Sequence, residues 1–260
     1  MIVVLSPAKK LDFNSELSKE VEATNPIFLE QTLVLVKELK KKSATDLSKL
    51  MKISEKLGDL NAKRYKEFKL PLEKESSRQA IFAFVGDTYQ GFDVSQLNKR
   101  DLLYAQKSVR VLSGLYGMLS PLDLILPYRL EMGTKFGPKG FKNLYDFWRA
   151  SLTDELNKLA KKSKASWVVN CASKEYFSAV DEKNLNIPVI SPVFKEKKRG
   201  SSDPSKVIGL FSKKARGMMA RFIVKERVQK PGDLENFNEL GYKFSKRESS
   251  EKELVFNRVY

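Results

Sequence analysis

Residues 109–133 read VRVLSGLYGMLSPLDLILPYRLEMG, an apolar run that stops abruptly and gives way to a crowd of polar side chains. Residues 109–113 have the make-up of a short buried strand, and Gly114 and Gly117 make a turn where backbone can approach another group closely. Pro121 and Pro127 then stiffen a loop carrying Tyr116, Asp123, Tyr128, Arg129 and Glu131. A loop so constrained holds its side chains in a fixed shape, which makes Tyr116, Tyr128, Arg129 and Glu131 candidate catalytic or binding residues. The alternative is that Gly and Pro simply turn the chain while Arg129 and Glu131 pair with surface neighbours.

Similar apolar runs recur on both sides of this stretch. Residues 2–5, IVVL, read as a strand buried on both faces, followed at once by Ser6, Pro7, Ala8, Lys9 and Lys10. Residues 80–85 read as another strand ending at Gly86 and Asp87, and residues 167–170 as one delivering Cys171, Ser173, Glu175 and Tyr176. Residues 187–194 and 207–211 read as two more, joined by the polar loop EKKRGSSDPSK, and residues 241–244 and 254–258 as a closing pair. Five of these strands end in small or polar turns, at Ser6 with Lys9, Gly86 with Asp87, Ser113 with Gly114, Asn170 with Ser173, and Ser212 with Lys213. Ligands of open α/β sheets gather outside the carboxyl ends of strands, so these turns are expected to converge on one cleft, with Asp87 a further candidate acid or base.

Helices fill the remainder. Residues 26–42 place Phe28, Leu29, Thr32, Leu33, Val36 and Leu39 at helical spacing, and lysines load the C-terminal end, where the macrodipole favours cations. A short helix over 46–51, N-capped by Thr45, and another over 55–68 are joined by the tight connection 52–54. With Lys49, Lys52, Lys56, Lys63 and Arg64 around it, the region 44–68 has the shape of a helix-hairpin-helix, which grips a phosphate backbone without reading bases. The connection contains no glycine, and a plain helical hairpin packed on the core is the competing reading. Residues 145–160 form an amphipathic helix. A last helix follows Phe211 through Lys213, Lys214 and Arg216, with Lys214, Arg221 and Lys225 on one face and Met219, Phe222 and Ile223 turned inward. Together the elements predict a mixed α/β fold: a central mixed sheet surrounded by helices, one domain over residues 1–260, with a basic cleft.

Composition sets the limits on partners and chemistry. Of 260 residues 42% are hydrophobic, enough for a full core, and 48 Lys and Arg against 32 Asp and Glu leave a net charge of +16 that attracts polyanions. With no histidine, a Ser-His-Asp triad, a Cys-His dyad and a His-rich metal site are excluded, and catalysis would run on Lys, Arg, Tyr, Asp, Glu or Ser. Cys171 stands alone, so no internal disulfide forms, and its default reading is a small buried residue. The opening MIVVLSPAKK lacks the pattern of a signal peptide and no segment approaches membrane-spanning length, so a cytoplasmic protein without a membrane partner is expected. No cofactor and no metal are assigned.

The segments VLSPAKKLDF, ISEKLGDLNAKRY, FVGDTYQGF, VLSGLYGMLSPLDLILPYRLEMG, ASKEYF, SPVF, FSKKARGMMARFIVKERV and LVFNR occur in this order along almost the whole chain. In them the sequence resembles the YaaA family of bacterial peroxide-stress proteins. The resemblance implies a cytoplasmic protein that keeps unincorporated iron low under peroxide stress, and that binds DNA through a positively charged cleft and a helix-hairpin-helix on an uncommon mixed α/β fold. Two expectations follow. In the first, Lys9, Lys49, Lys52, Lys56, Lys63, Arg64, Lys213, Lys214, Arg216, Arg221 and Lys225 grip the phosphates of duplex DNA, sequence-nonspecifically. In the second, the cleft belongs to an enzyme acting on a small phosphorylated or nucleotide-like substrate. Lys9, Arg129, Lys213 and Arg216 then hold an anion, Asp87 or Glu131 serves as base, and Tyr116 or Tyr128 orients the substrate.

Overall fold

The computed structural model describes residues 1–15 and 21–260. The chain opens with β1 (Ile2–Leu5), β2 (Lys10–Leu11), α1 (Leu29–Lys40), α2 (Ala44–Met51) and α3 (Glu55–Glu67). It continues through β3 (Arg78–Gln79), α4 (Ala80–Ala83), β4 (Phe84–Val85), α5 (Asp87–Phe92), α6 (Lys99–Ser108), β5 (Val109–Ser113), β6 (Gly117–Leu119) and β7 (Leu124–Ile125). The second half holds α7 (Leu144–Ser163), β8 (Val168–Asn170), α8 (Lys174–Phe177), β9 (Val189–Lys197), α9 (Gly209–Glu226), β10 (Lys243–Phe244) and β11 (Glu253–Val259).

A seven-stranded sheet of order β10-β11-β9-β8-β1-β5-β6 organises the molecule. Its five inner strands are mutually parallel, whereas β6 and β10 pair antiparallel at the two edges, so the sheet is mixed. The parallel strands at the centre are the most buried, all four residues of β1 and four of the five of β5 lying in the interior, whereas β9 and β11 are buried only in part. Counting outward from β1, the chain passes first to β5 and β6 on one side and then to β8, β9 and β11 on the other. The crevice between the carboxyl ends of β1 and β8 is therefore the point where strand order reverses, the preferred ligand position of open α/β sheets.

Helix boundaries follow local chemistry. Ser43 caps α2, accepting from the Asp46 amide while the Asp46 carboxylate accepts from the Ser43 amide, a reciprocal box that stands two residues before the cap expected at Thr45. Lys52 closes α2 in the left-handed conformation and Ser54 caps α3, so the connection 52–54 is as tight as its spacing predicts. Close approach of the two helices is set by Gly58, where an added Cβ would meet Ser48 Oγ at 2.0 Å. The glycine absent from the turn thus stands inside the second helix, where it serves packing.

Two expected strands are corrected. Residues 80–83 form the helical turn α4 and only Phe84 and Val85 are extended, pairing with Lys10 and Leu11 of β2. The four apolar residues of that turn are buried all round, and a short apolar run carries no period to tell strand from helix. Likewise residues 207–211 do not pair as a strand: the polar loop closes with an isolated bridge from Glu196 to Lys206, and α9 begins at Gly209. α9 packs on α5 through two glycines, since an added Cβ at Gly217 would lie 1.8 Å from the Thr88 carbonyl and one at Gly91 2.0 Å from that of Lys214. The sheet, α1, α7 and α9 share one hydrophobic cluster.

Candidate functional site at the carboxyl edge of the sheet

The strand-order crevice is closed by direct contact between its two lips. Ser6, one residue past β1, accepts a hydrogen bond on Oγ from the Ser173 amide at 2.8 Å and donates to Ser173 Oγ at 3.3 Å. Tyr89 of α5 donates its hydroxyl to the Ser6 carbonyl at 3.0 Å, which brings the turn after β4 to the same place. At the end of β5, Ser113 accepts from the amides of Leu115 and Tyr116 and shares a 2.7 Å hydrogen bond with the Tyr128 hydroxyl. Three of the five turns singled out by sequence are thus hydrogen-bonded together, and the segment after β5 joins them through the Lys9–Glu131 ion pair. The fifth, at Ser212, belongs to the first turns of α9, whose Arg216 lines a cleft together with Asn170 and Ala172 of the turn after β8.

The loop 127–133 folds back on the Gly114 turn, where an added Cβ would lie 2.3 Å from the Leu130 carbonyl. This return brings Glu131 between two cations, 2.9 Å from Arg129 and 2.7 Å from Lys9. The trio is half-exposed: the Glu131 side chain is 23% accessible and that of Lys9 64%. Two residues past Glu131 along the loop, the Gly133 amide donates to Glu175 at 3.0 Å. Behind them Tyr128, Tyr116, Tyr89 and Tyr176 are buried, and removal from water pushes each phenol's pKa up, so all are neutral hydroxyls at physiological pH. The edge thus gathers neutral hydroxyls, the carboxylates of Glu131 and Glu175, and the cations of Lys9 and Arg129, both paired with Glu131.

The sequence-selected residues lie in several places. Lys9, Tyr128, Arg129 and Glu131 meet at this edge, and Asp87 opens α5 two residues before Tyr89, half-buried. Tyr116 is fully buried with its hydroxyl accepting from the Leu126 amide and its ring 5.2 Å from Tyr128, which makes it a support beneath the site. Lys49, Lys52, Lys56, Lys63 and Arg64 belong to the hairpin α2–α3; the four lysines are exposed and Arg64 is half-buried. Lys213, Lys214 and Lys225 are exposed on α9. Arg221 departs from the expected cationic stripe: it is 8% exposed, donates to the Gly91 carbonyl at 2.8 Å and pairs with Glu239 and Asp93. A straight-chain cation at helical spacing reads as surface, but the acidic partners that draw it inward lie far away in the chain.

Sequence reasoning misses Tyr65. From α3 it donates its hydroxyl to the Arg129 carbonyl at 2.5 Å, tying the helical hairpin to the loop of the site. It also leaves Glu175 and Tyr176 without roles, although the turn that carries them is visible as the end of an apolar run.

No helix among the described residues is long and apolar enough to cross a membrane. The family model described as peroxide stress protein YaaA matches residues 1–248. Among curated relatives, a UPF0246 protein of Idiomarina loihiensis is 49% identical over 260 residues, 100% of this chain and 99% of the relative. UPF0246 proteins of Alteromonas mediterranea and Saccharophagus degradans are 47% and 46% identical over 258 residues, 99% of this chain in each case and 98% and 99% of the relatives. With the Ser113–Gly133 site segment inside the match, the chain belongs to the YaaA family of peroxide stress proteins, whose curated relatives are named UPF0246.

Proposed function

We propose that this protein binds duplex DNA by its phosphate backbone, without sequence preference, as its part in the peroxide stress response of the cytoplasm. The observation that carries the reading is where unpaired cations stand. Lys49, Lys52 and Lys56 are exposed on the α2–α3 hairpin, and Lys213 and Lys214 on α9, none with an ion-pair partner among the described residues. Cations held on rigid helices and not neutralised at home are what displace counterions from DNA. In this reading the hairpin acts as a helix-hairpin-helix on one wall of a basic cleft. Tyr65 then connects it mechanically to the Arg129 loop.

Peroxide-stressed cells carrying the protein are expected to show fewer DNA lesions and less unincorporated iron. Among the described residues no three Cys, Asp or Glu side chains converge as a metal site.

The test is fluorescence anisotropy of labelled duplex across a salt series. Wild type is expected to lose affinity steeply with salt, and Lys52→Glu/Lys56→Glu and Lys213→Glu/Lys214→Glu each to flatten the slope, by about 0.9 for every phosphate that the variant no longer neutralises. No binding at low salt, or variants identical to wild type, refutes the reading. A second reading, an enzyme for a small phosphorylated substrate, rests on the Lys9–Glu131–Arg129 trio, which places a carboxylate and two cations at the strand-order crevice. It predicts that Glu131→Gln abolishes peroxide protection with DNA affinity intact.

A further inference from the structure

One strand away from the crevice, β8 and β9 pair at Val168 with Val189 and at Val169 with Ile190, and then separate. The chain after β8 turns toward β1, Cys171 donating its amide to the Val4 carbonyl, while β9 runs on beside β11. The fork leaves a cleft of about 380 Å³, within the range of small-molecule sites. Its polar lining includes Asn170, Ser178, Ser191 and Arg216, and its apolar lining Phe177, Val180 and Pro192.

Arg216 is the unusual member. Its guanidinium is partly withdrawn from water, its Nε is buried with no acceptor, and among the described residues it forms no hydrogen bond and no ion pair. Arg129 is held by Glu131, Arg221 by Glu239 and Arg258 by the rings of Phe211 and Tyr242, although the Nε atoms of Arg129 and Arg258 likewise have no acceptor. A guanidinium offers five donors in a planar fork, and withdrawing it from water unpaired is costly unless an acceptor arrives from outside. Nearby donors remain available. Asn170 gives one amide hydrogen to Ser191 Oγ at 3.3 Å and keeps the other, and the Ser191 hydroxyl hydrogen is unassigned.

We propose that this cleft binds a small molecule bearing one oxyanion, a carboxylate or a phosphate monoester, held by Arg216 with Asn170 and Ser191 while its body lies against Phe177, Val180 and Pro192. Bidentate capture of an oxyanion is what the arginine fork does best, and lysine reproduces it poorly. The rim carries Lys174 but also the carboxylates Glu182 and Glu253. A polyphosphate or a nucleic-acid strand would meet both of those charges, so the cleft selects a compact ligand with a single anionic group. The cleft adjoins the α9 lysines assigned to DNA, since Arg216 follows Lys213 and Lys214 by three and two residues, and lies apart in sequence from those of the hairpin.

Isothermal titration of the full chain with AMP, phenylacetate and inorganic phosphate separates the sources of the oxyanion: phosphate with a planar body, carboxylate with an apolar one, and the anion alone. Saturable binding of AMP or phenylacetate is expected, weakened at least tenfold in Arg216→Ala and less so in Arg216→Lys, with weaker binding of inorganic phosphate. Ser191→Ala serves as a second probe of the same cleft should Arg216→Ala fail to fold. The anisotropy slope for duplex DNA is expected to be unchanged in Ser191→Ala. The proposal is overturned if none of the three probes binds the folded wild type at millimolar concentration, or if Arg216→Lys and Ser191→Ala bind as well as wild type. It is equally overturned if duplex DNA displaces the probe and loses affinity in step with it.

Discussion

Replacing Asp123 with asparagine isolates a buried charge that the fold carries at neutral pH. Asp123, 3% exposed in the turn between β6 and β7, accepts from Thr24 Oγ1 at 2.6 Å and from the Ser120 amide at 2.7 Å. Burial drives its pKa up to about 6, outweighing those hydrogen bonds and the attraction of Arg110, all of which favour the anion. In the unfolded chain the group titrates near 3.9. Between these values the folded state binds the extra proton, so stability contributed by the acid is present in full below about pH 4 and is lost as pH rises through about 6. Two pKa units correspond to about 3 kcal/mol at and above neutrality, and about 2 kcal/mol of this develops between pH 4.5 and 7.

Urea unfolding of wild type and Asp123→Asn, followed by Trp148 and Trp167 fluorescence, reads this directly. The +16 charge makes both proteins vary with pH through self-repulsion, but the difference between them cancels that background. Wild-type stability minus variant stability is expected to fall by about 2 kcal/mol from pH 4.5 to 7. A difference that stays constant, or that rises with pH, refutes the reasoning, because it means that Arg110 and the hydrogen bonds outweigh burial.

Other perturbations have equally definite outcomes. Arg221→Ala leaves Glu239 and the Gly91 carbonyl without their partner inside the α5–α9 contact and is expected to cost about 3–5 kcal/mol in urea unfolding, against under ~0.5 kcal/mol for exposed Lys225→Ala. Gly217→Ala drives a methyl into the Thr88 carbonyl and is expected to lose about 3 kcal/mol or more, visible as a lowered melting temperature; an unchanged one would show that α5 yields freely. Cys171, fully interior and with its thiol pushed up to about 12, is expected to resist Ellman's reagent at pH 8 until the chain unfolds, whereas prompt reaction would mean the β8 turn opens.

Much of the sheet is legible because its strands announce themselves. β1, β5 and β8 are short apolar runs ending in small polar residues, and the turn at their ends is where the side chains of the site meet. What escapes reading is non-local. The order of strands about β1, which locates the crevice, depends on pairings such as Val3 with Val109 and Val3 with Val169, and nothing within either strand specifies them. Tyr65 joins the site from sixty-four residues before Arg129, its contribution a single hydroxyl to a backbone carbonyl. The turn α4 and the start of α9 read as strands because four or five apolar residues satisfy either geometry.

The net charge conceals a division of labour that sequence arithmetic does not resolve. Arginine is used largely for internal construction: Arg110 to the Gln106 and Val109 carbonyls, Arg129 to Glu131, Arg221 to Glu239, and Arg227 to Asp101 across the face of Tyr104. Its planar fork and weak hydration suit it to such partly dry places. The exposed cations of the hairpin and of α9 are instead lysines, strongly hydrated point charges on flexible stems. A surface built from lysine attracts phosphate by charge but lacks the bidentate geometry that reads guanine, so duplex binding by this face is expected to be steep in salt and indifferent to sequence. Arg216 breaks the pattern in both directions, being neither paired inside nor free outside. Its position between the two classes is the reason a small oxyanion, rather than a duplex, is the partner its cleft calls for.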